Sequence, residues 1–156
     1  MTKPDIAPLA AVDLPAVRQV LAETELFPPD LLDELSAGFL SGQSTDEWLT
    51  VRHSGEVVGF VYAVEEQMAD RVWNMLALAV RPISQGAGAG GELVGALEHR
   101  LTKKGARLMI VDTSGTEQFA RTRRFYRQQG YTEVARLPDY WENGDDKVTF
   151  LKRLSD

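Results

Sequence analysis

Apolar residues fall into two rhythms along this chain, and the changes from one to the other mark its elements. Leu14, Val17 and Leu21 recur at the spacing that puts side chains on one face of a helix. Asp13 stands where an N-cap belongs, and Pro15 in the first turn, where a missing N–H is harmless. Pro28-Pro29 ends that segment and opens a second helix, with Leu32, Leu35 and Phe39 as its stripe and Gly42 as its stop. A short strand over 5–9 precedes both. Residues 47–53 then alternate, Ser54-Gly55 reads as a hairpin turn, and 57–64 carries the β-branched and aromatic residues of a return strand. A turn at 68–70 leads into 72–80, almost continuously apolar, as in a strand covered on both faces. Leu93, Val94, Leu97 and Leu101 mark a third helix closed by Gly105. A strand over 107–111, a helix over 118–129 ending at Gly130, and strands over 131–136 and 147–151 complete the pattern. The predicted order is β-α-α-β-β-β-α-β-α-β-β, an α/β domain with a mixed sheet. No repeat, low-complexity tract or linker interrupts it, so residues 1–156 are read as a single domain.

Composition narrows the chemistry. A chain of 156 residues with 44% apolar and 26% charged residues can bury a core without staples. With no cysteine there is no disulfide, thiolate nucleophile or Cys-ligated zinc. His53 and His99 are far apart and no loop has calcium spacing, so no metal is expected. A net charge of −6 argues against nucleic acid or an anionic membrane and favours a cationic or neutral substrate. No run approaches the ~20 apolar residues of a membrane span, and the first residues lack a signal-peptide pattern. A cytoplasmic location is the expectation.

The sharpest signal comes after the strand at 72–80. Gly86-Ala87-Gly88-Ala89-Gly90-Gly91 opens the third helix with no side chain larger than a methyl group. A helix N-terminus leaves N–H groups unpaired and carries partial positive charge, so an unobstructed one is an anion site. Gln85 adds a side-chain donor at the mouth. Glycine costs about 0.8–1.0 kcal/mol relative to alanine within a helix, so four glycines around one helix start imply a requirement beyond packing. The same residues satisfy G-x-G-x-x-G, with Asp112 about 20 residues further on, as in a dinucleotide-binding βαβ unit. Against that reading, residues 81–85, including Pro82, separate the glycines from the strand, and too few βα units remain for a parallel sheet.

These residues resemble the GNAT superfamily of N-acetyltransferases. Its motif Q/R-x-x-G-x-G/A, after a strand and a Pro-containing spacer, is matched by Gln85, Gly88 and Gly90. Its second signature, an aromatic–Tyr pair followed by Gly and an aromatic, appears as Phe125-Tyr126 and Gly130-Tyr131. The element order agrees over essentially the whole chain. The resemblance implies a GNAT-like fold, a central twisted mixed sheet with helices on both faces, and acetyl-CoA as acyl donor. It implies that Leu78, Ala79 and Val80 pair through their backbone with the pantetheine arm, and that an N–H near Val80 polarises the thioester carbonyl. The pyrophosphate would lie across Gln85, Gly86, Ala87, Gly88, Ala89 and Gly90. Tyr126 is the catalytic candidate: a phenol with a pKa of ~10 is protonated at neutral pH and can protonate the leaving thiolate. Adjacent helical positions point about 100° apart, so Phe125 can pack inward while Tyr126 faces the cleft; the plainer reading makes both core aromatics.

Two departures from the family pattern matter. Leu76 and Ala77 occupy the positions where many relatives carry an acidic base, leaving Glu25, Glu65 and Glu66 as substitutes or as ordinary surface carboxylates. Phe119 replaces the Asn often found seven residues before the signature Tyr, at a position expected to contact the cofactor. Among Arg121, Arg123, Arg124 and Arg127, Arg123 is the choice for a phosphate contact, although a solvated helix face explains the cluster equally well. In the family the acceptor is bordered by the segment between the first two helices and the loop between the last two strands. Glu25, Phe27 and Tyr140 are therefore the acceptor-site candidates, with Trp141 beside them, the alternative being core cover or a dimer contact. The resulting expectation is an acetyl-CoA-dependent N-acetyltransferase that moves an acetyl group to a primary amine of a small molecule by direct attack. The alternatives are a non-catalytic CoA-binding module or regulator and, more remotely, an NAD(P)-dependent oxidoreductase. Dimers are common in the family, so a homodimer is one expectation for the assembly.

Overall fold

The computed structural model describes residues 5–155. The order of elements is the predicted one: β1 (Asp5–Pro8), α1 (Leu14–Thr24), α2 (Leu32–Leu40), β2 (Glu47–His53), β3 (Glu56–Glu65), β4 (Val72–Val80), α3 (Ala89–Lys103), β5 (Leu108–Ser114), α4 (Ala120–Gln128), β6 (Thr132–Glu142) and β7 (Asp145–Arg153). The strands form one sheet in the order β1-β2-β3-β4-β5-β7-β6. Its pairs are antiparallel except β4–β5. The parallel sheet of a dinucleotide-binding unit is therefore absent among the described residues.

Each sheet face carries its own core, and β4 contributes to both. Trp73, Met75 and Val80 meet α3 and α4 on one side, whereas Ala77 and Ala79 meet α1 and α2 on the other. This is why the strand reads as a continuous apolar run. Leu93, Val94, Leu97 and Leu101 of α3 are fully buried, each stabilising the fold by about 1.5–3 kcal/mol. Ion pairs hold α3 in register: Glu47 of β2, itself buried, meets Arg100 at 3.0 Å and also Lys104. Glu98 accepts from the Tyr131 hydroxyl at 2.7 Å and from Lys152 at 3.0 Å. The C-terminal half of α3 is thus tied to both ends of the sheet.

Three local expectations are corrected. Asp13 does not cap α1; its buried carboxylate accepts from the Ala10 N–H (2.9 Å) and from Arg52 (2.5 Å), tying the entry of the helix to β2. Leu35 is exposed, leaving Leu32 and the half-buried Phe39 to hold α2. The loop expected at 137–147 is the far end of a hairpin: β6 runs on to Glu142 and turns through Asn143-Gly144, where the Gly144 N–H donates to Asp139. β6 is an edge strand exposed almost throughout, so it has no buried face to impose an alternating pattern.

Candidate active site

β4 and β5 pair only at Val72↔Leu108, Trp73↔Met109 and Asn74↔Ile110, and then part. The cause lies in β4. Met75 pairs with Ala63 and Ala77 with Tyr62, so Leu76 is an extra, bulged residue, 51% exposed. A bulge bends its strand and re-aims the residues after it. Further on, the Arg81 N–H donates to the Val58 carbonyl at 2.8 Å. In an antiparallel ladder the bonded and non-bonded pairs alternate, so Phe60↔Ala79 is bonded and Val61↔Leu78 and Gly59↔Val80 are not. The backbone groups of Leu78 and Val80 therefore face the gap that β5 has left, while those of Ala79 are used by β3. The expectation that Ala79 pairs with a ligand is corrected on that ground.

The turn after β4 closes on itself. Gln85 Nε2 donates to the Val80 carbonyl at 3.0 Å, so the amide expected to reach a ligand instead staples the turn. Gly88 is the N-cap of α3 at φ +88°, a left-handed conformation that costs a residue with a Cβ, and no side chain caps the helix. The first helical bond is Glu92 N–H to Gly88 C=O at 3.0 Å. Ala89, Gly90 and Gly91 consequently present N–H groups with no partner inside the helix. Gly90 has a second reason for lacking a side chain: a Cβ there would lie 3.3 Å from Phe125 Cζ. The glycines thus serve packing as well as an open helix end.

Leu78, Val80, Gln85, Gly86, Gly88, Ala89, Gly90 and Tyr126 line a single cavity of about 510 Å³. The Tyr126 ring is 5% exposed and packs against Phe125, Tyr131 and Phe150, with centroids at 5.4, 6.0 and 5.8 Å. Burial pushes its phenol well above the usual value, keeping it protonated. Ala87 and Phe119, expected to contact the cofactor, are not among the residues lining this cavity. Nor does Arg123 line it: its Nη1 donates to the carbonyls of Ser114 (2.8 Å) and Thr116 (2.7 Å), bracing the loop before α4.

Arg121 and Arg124 line the cavity in its place, together with Ser84, Thr122, Gln128 and Gln129. The signal for most of these was available. Once Phe125 is the residue that touches α3, the positions three and four away on α4 are Arg121, Thr122, Gln128 and Gln129. The acceptor candidates lie outside this cavity. Glu25 is an exposed C-cap of α1 at φ +55°. Phe27 packs edge-on against Phe60 at 6.3 Å. Tyr140 lies in β6 beneath the Lys147 ammonium, 4.3 Å from its ring centroid.

No helix among the described residues is long and apolar enough to cross a membrane. The sequence profile of the Acetyltransferase (GNAT) family matches residues 14–131. An uncharacterized N-acetyltransferase of Methanocaldococcus jannaschii is 26% identical over 152 residues, covering 95% of this chain and 90% of that protein. A crystal structure of an acetyltransferase assigned to the GNAT family from Desulfovibrio desulfuricans superposes with a TM-score of 0.88 at 25% identity, covering 98% of this chain and 100% of the other. YncA of Salmonella typhimurium, solved with its cofactor acetyl-CoA, has the same fold: TM-score 0.81 at 18% identity, over 99% of this chain and 96% of the other. With the open strand edge and the uncapped helix start, these matches mean that the chain belongs to the acetyltransferase (GNAT) family.

Proposed function

We propose that this chain, acting as one domain, transfers an acetyl group from acetyl-CoA to a primary amine of a small molecule by direct attack. The observation that carries the reading is the juxtaposition of two sets of unpaired backbone groups along one cavity: the edge of β4 at Leu78 and the Val80 N–H, and the N-terminus of α3. Each fits a different part of the donor. A strand edge offers alternating N–H and C=O groups to the amides of a pantetheine arm. The N–H groups of Ala89, Gly90 and Gly91, with the helix dipole behind them, suit a diphosphate. Arg121 and Arg124 add charge at the exposed rim.

When bound, acetyl-CoA supplies a thioester whose carbonyl carbon accepts the amine. An N–H of that free edge, at Leu78 and so further from the helix start than Val80, would stabilise charge on the carbonyl oxygen. As the N–C bond forms and the C–S bond breaks, Tyr126 gives its proton to the departing sulfur. Two experiments test the reading. Acetyl-CoA should raise the melting temperature of the protein, and free thiol should appear when primary amines are added with it. Protection without thiol release from any amine would favour the non-catalytic CoA-binding alternative. No protection at all would remove the donor assignment.

A further inference from the structure

We propose that Glu66, Asn74 and Asp112 form the subsite that receives the acceptor's ammonium group, on the sheet face opposite the glycine cavity. The acceptor would then be a primary ammonium carried on an apolar body. This rests on the acyl-transfer reading above and adds where and how the amine is held.

Asn74 is the last residue of β4 to pair with β5 before the strands part. Its neighbours Trp73 and Met75 belong to the core under α3, so its side chain lies on the other face, as does that of its partner Val64. Asn74 is 9% exposed, and its Nδ2 donates to Glu66 Oε1 at 3.0 Å. Its Oδ1 is buried with no partner at all. Buried amide oxygens are nearly always satisfied, and one left open points to a donor that arrives from outside. Asp112 is two residues beyond Ile110, the β5 partner of Asn74. Val111 is buried in the α3 core, which turns Asp112 to the same face as Asn74, where Thr149 donates to it at 2.6 Å.

The charges are unbalanced in the same place. Asp13, Glu23, Glu47 and Glu98 each meet an arginine or lysine. Glu66 and Asp112 are half-buried and meet no cation among the described residues. Lys147, which shares their face, holds its ammonium over the Tyr140 ring rather than against either carboxylate. Two carboxylates and an amide oxygen offer acceptors only, so the complementary ligand brings positive charge and several N–H groups, as an ammonium does. The exposed side chain of Leu76, bulged out of β4 next to this point, offers it an apolar contact. The protons balance across the sheet. The ammonium loses two: one is taken by a carboxylate on this face and passed to solvent, and the other passes from the nitrogen to the Tyr126 phenolate left when Tyr126 protonates the sulfur, so that the phenol is restored.

The test uses the intact protein with phenethylamine, tyramine and hexylamine as probes, and their alcohol counterparts as uncharged controls. Thiol release from acetyl-CoA is measured alongside the melting temperature. At least one amine is acetylated and no alcohol is. Glu66→Gln and Asp112→Asn then each raise KM for that amine by roughly tenfold or more, while the acetyl-CoA shift in melting temperature stays as in the parent. Three inert amines in a protein that acetyl-CoA stabilises would overturn the subsite and leave the donor reading standing; so would an unchanged KM in both variants. A protein that acetyl-CoA does not stabilise loses the donor reading, and this inference falls with it.

Discussion

Replacing Tyr126 with phenylalanine separates the chemical role of this residue from its packing role. The ring contacts with Phe125, Tyr131 and Phe150 survive the change, because they are made by carbon. The hydroxyl is a different matter. Desolvation alone accounts for the raised pKa of the phenol, with no bonded partner contributing. Its removal strands no other group, and stability should change by less than about 1 kcal/mol. Activity should fall much further. A positioned general acid is worth roughly 10²–10⁴-fold. A thiol with a pKa near ~8.5 leaves tolerably well as an anion, so the loss belongs at the lower end, about 10²-fold in kcat. The assay is steady-state thiol release at saturating acetyl-CoA, with the acetyl-CoA-induced shift in melting temperature as a control for binding. A Tyr126→Phe protein that binds acetyl-CoA normally and turns over at the parental rate would refute the assignment and leave Tyr126 a core aromatic.

The same geometry sets other outcomes. Gly88→Val forces a left-handed φ on a branched residue, costing about 1–2 kcal/mol, and sets a side chain before the open amides; acetyl-CoA should no longer protect this variant against heat. Arg121→Ala and Arg124→Ala should each weaken acetyl-CoA binding about two- to fivefold, a deficit that shrinks as salt is added in calorimetric titrations. Arg123→Ala should do the opposite, leaving affinity intact but lowering stability to urea by about 1–3 kcal/mol, because two carbonyls lose their donor. Tyr62 is pushed up to about 12 by burial and by Asp46, and burial also raises Tyr126 and Tyr131. The fold favours the protonated phenols, so their contribution is complete below the unfolded value of ~10 and is lost as pH rises toward 12. Urea midpoints measured from pH 9 upward should decline across that window; a flat profile would contradict it.

What the sequence discloses divides along physical lines. Where one face of an element is buried, the pattern is legible: α3 shows Leu93, Val94, Leu97 and Leu101 of its core face at helical spacing, and β4 its two-sided burial. Residues whose role depends on a distant partner are not. Asp13 looks like a cap until Arg52 is seen beside it. Arg123 and Arg124 are indistinguishable until the contact between Gly90 and Phe125 sets the rotation of α4 against α3. The extra residue at Leu76 leaves no mark in composition, yet it separates β4 from β5. Asp112, noticed in the sequence only as part of a dinucleotide pattern, acquires its place through strand register with Asn74 and Thr149.

The site can be understood as two ordinary defects brought together. Backbone N–H and C=O groups inside proteins are paired almost without exception, yet β4 leaves those of Leu78 and the N–H of Val80 facing a gap, and α3 begins without a cap. Either defect alone would be met by water. Side by side along one cavity they specify a ligand with a definite order of chemistry: amides against the strand edge, then an anion at the helix start. That order also fixes direction. With the anion at Gly88 and the amides at Val80 and Leu78, the far end of the ligand points back along β4 toward Leu76 and Asn74, where the sheet opens to its other face. A leaving group on the α4 side would meet the protonated phenol of Tyr126, and a nucleophile from the other side would pass Asn74 and Asp112. The parting of two strands would therefore do what a solid sheet could not, admitting the proposed donor and acceptor from opposite faces to one point between them.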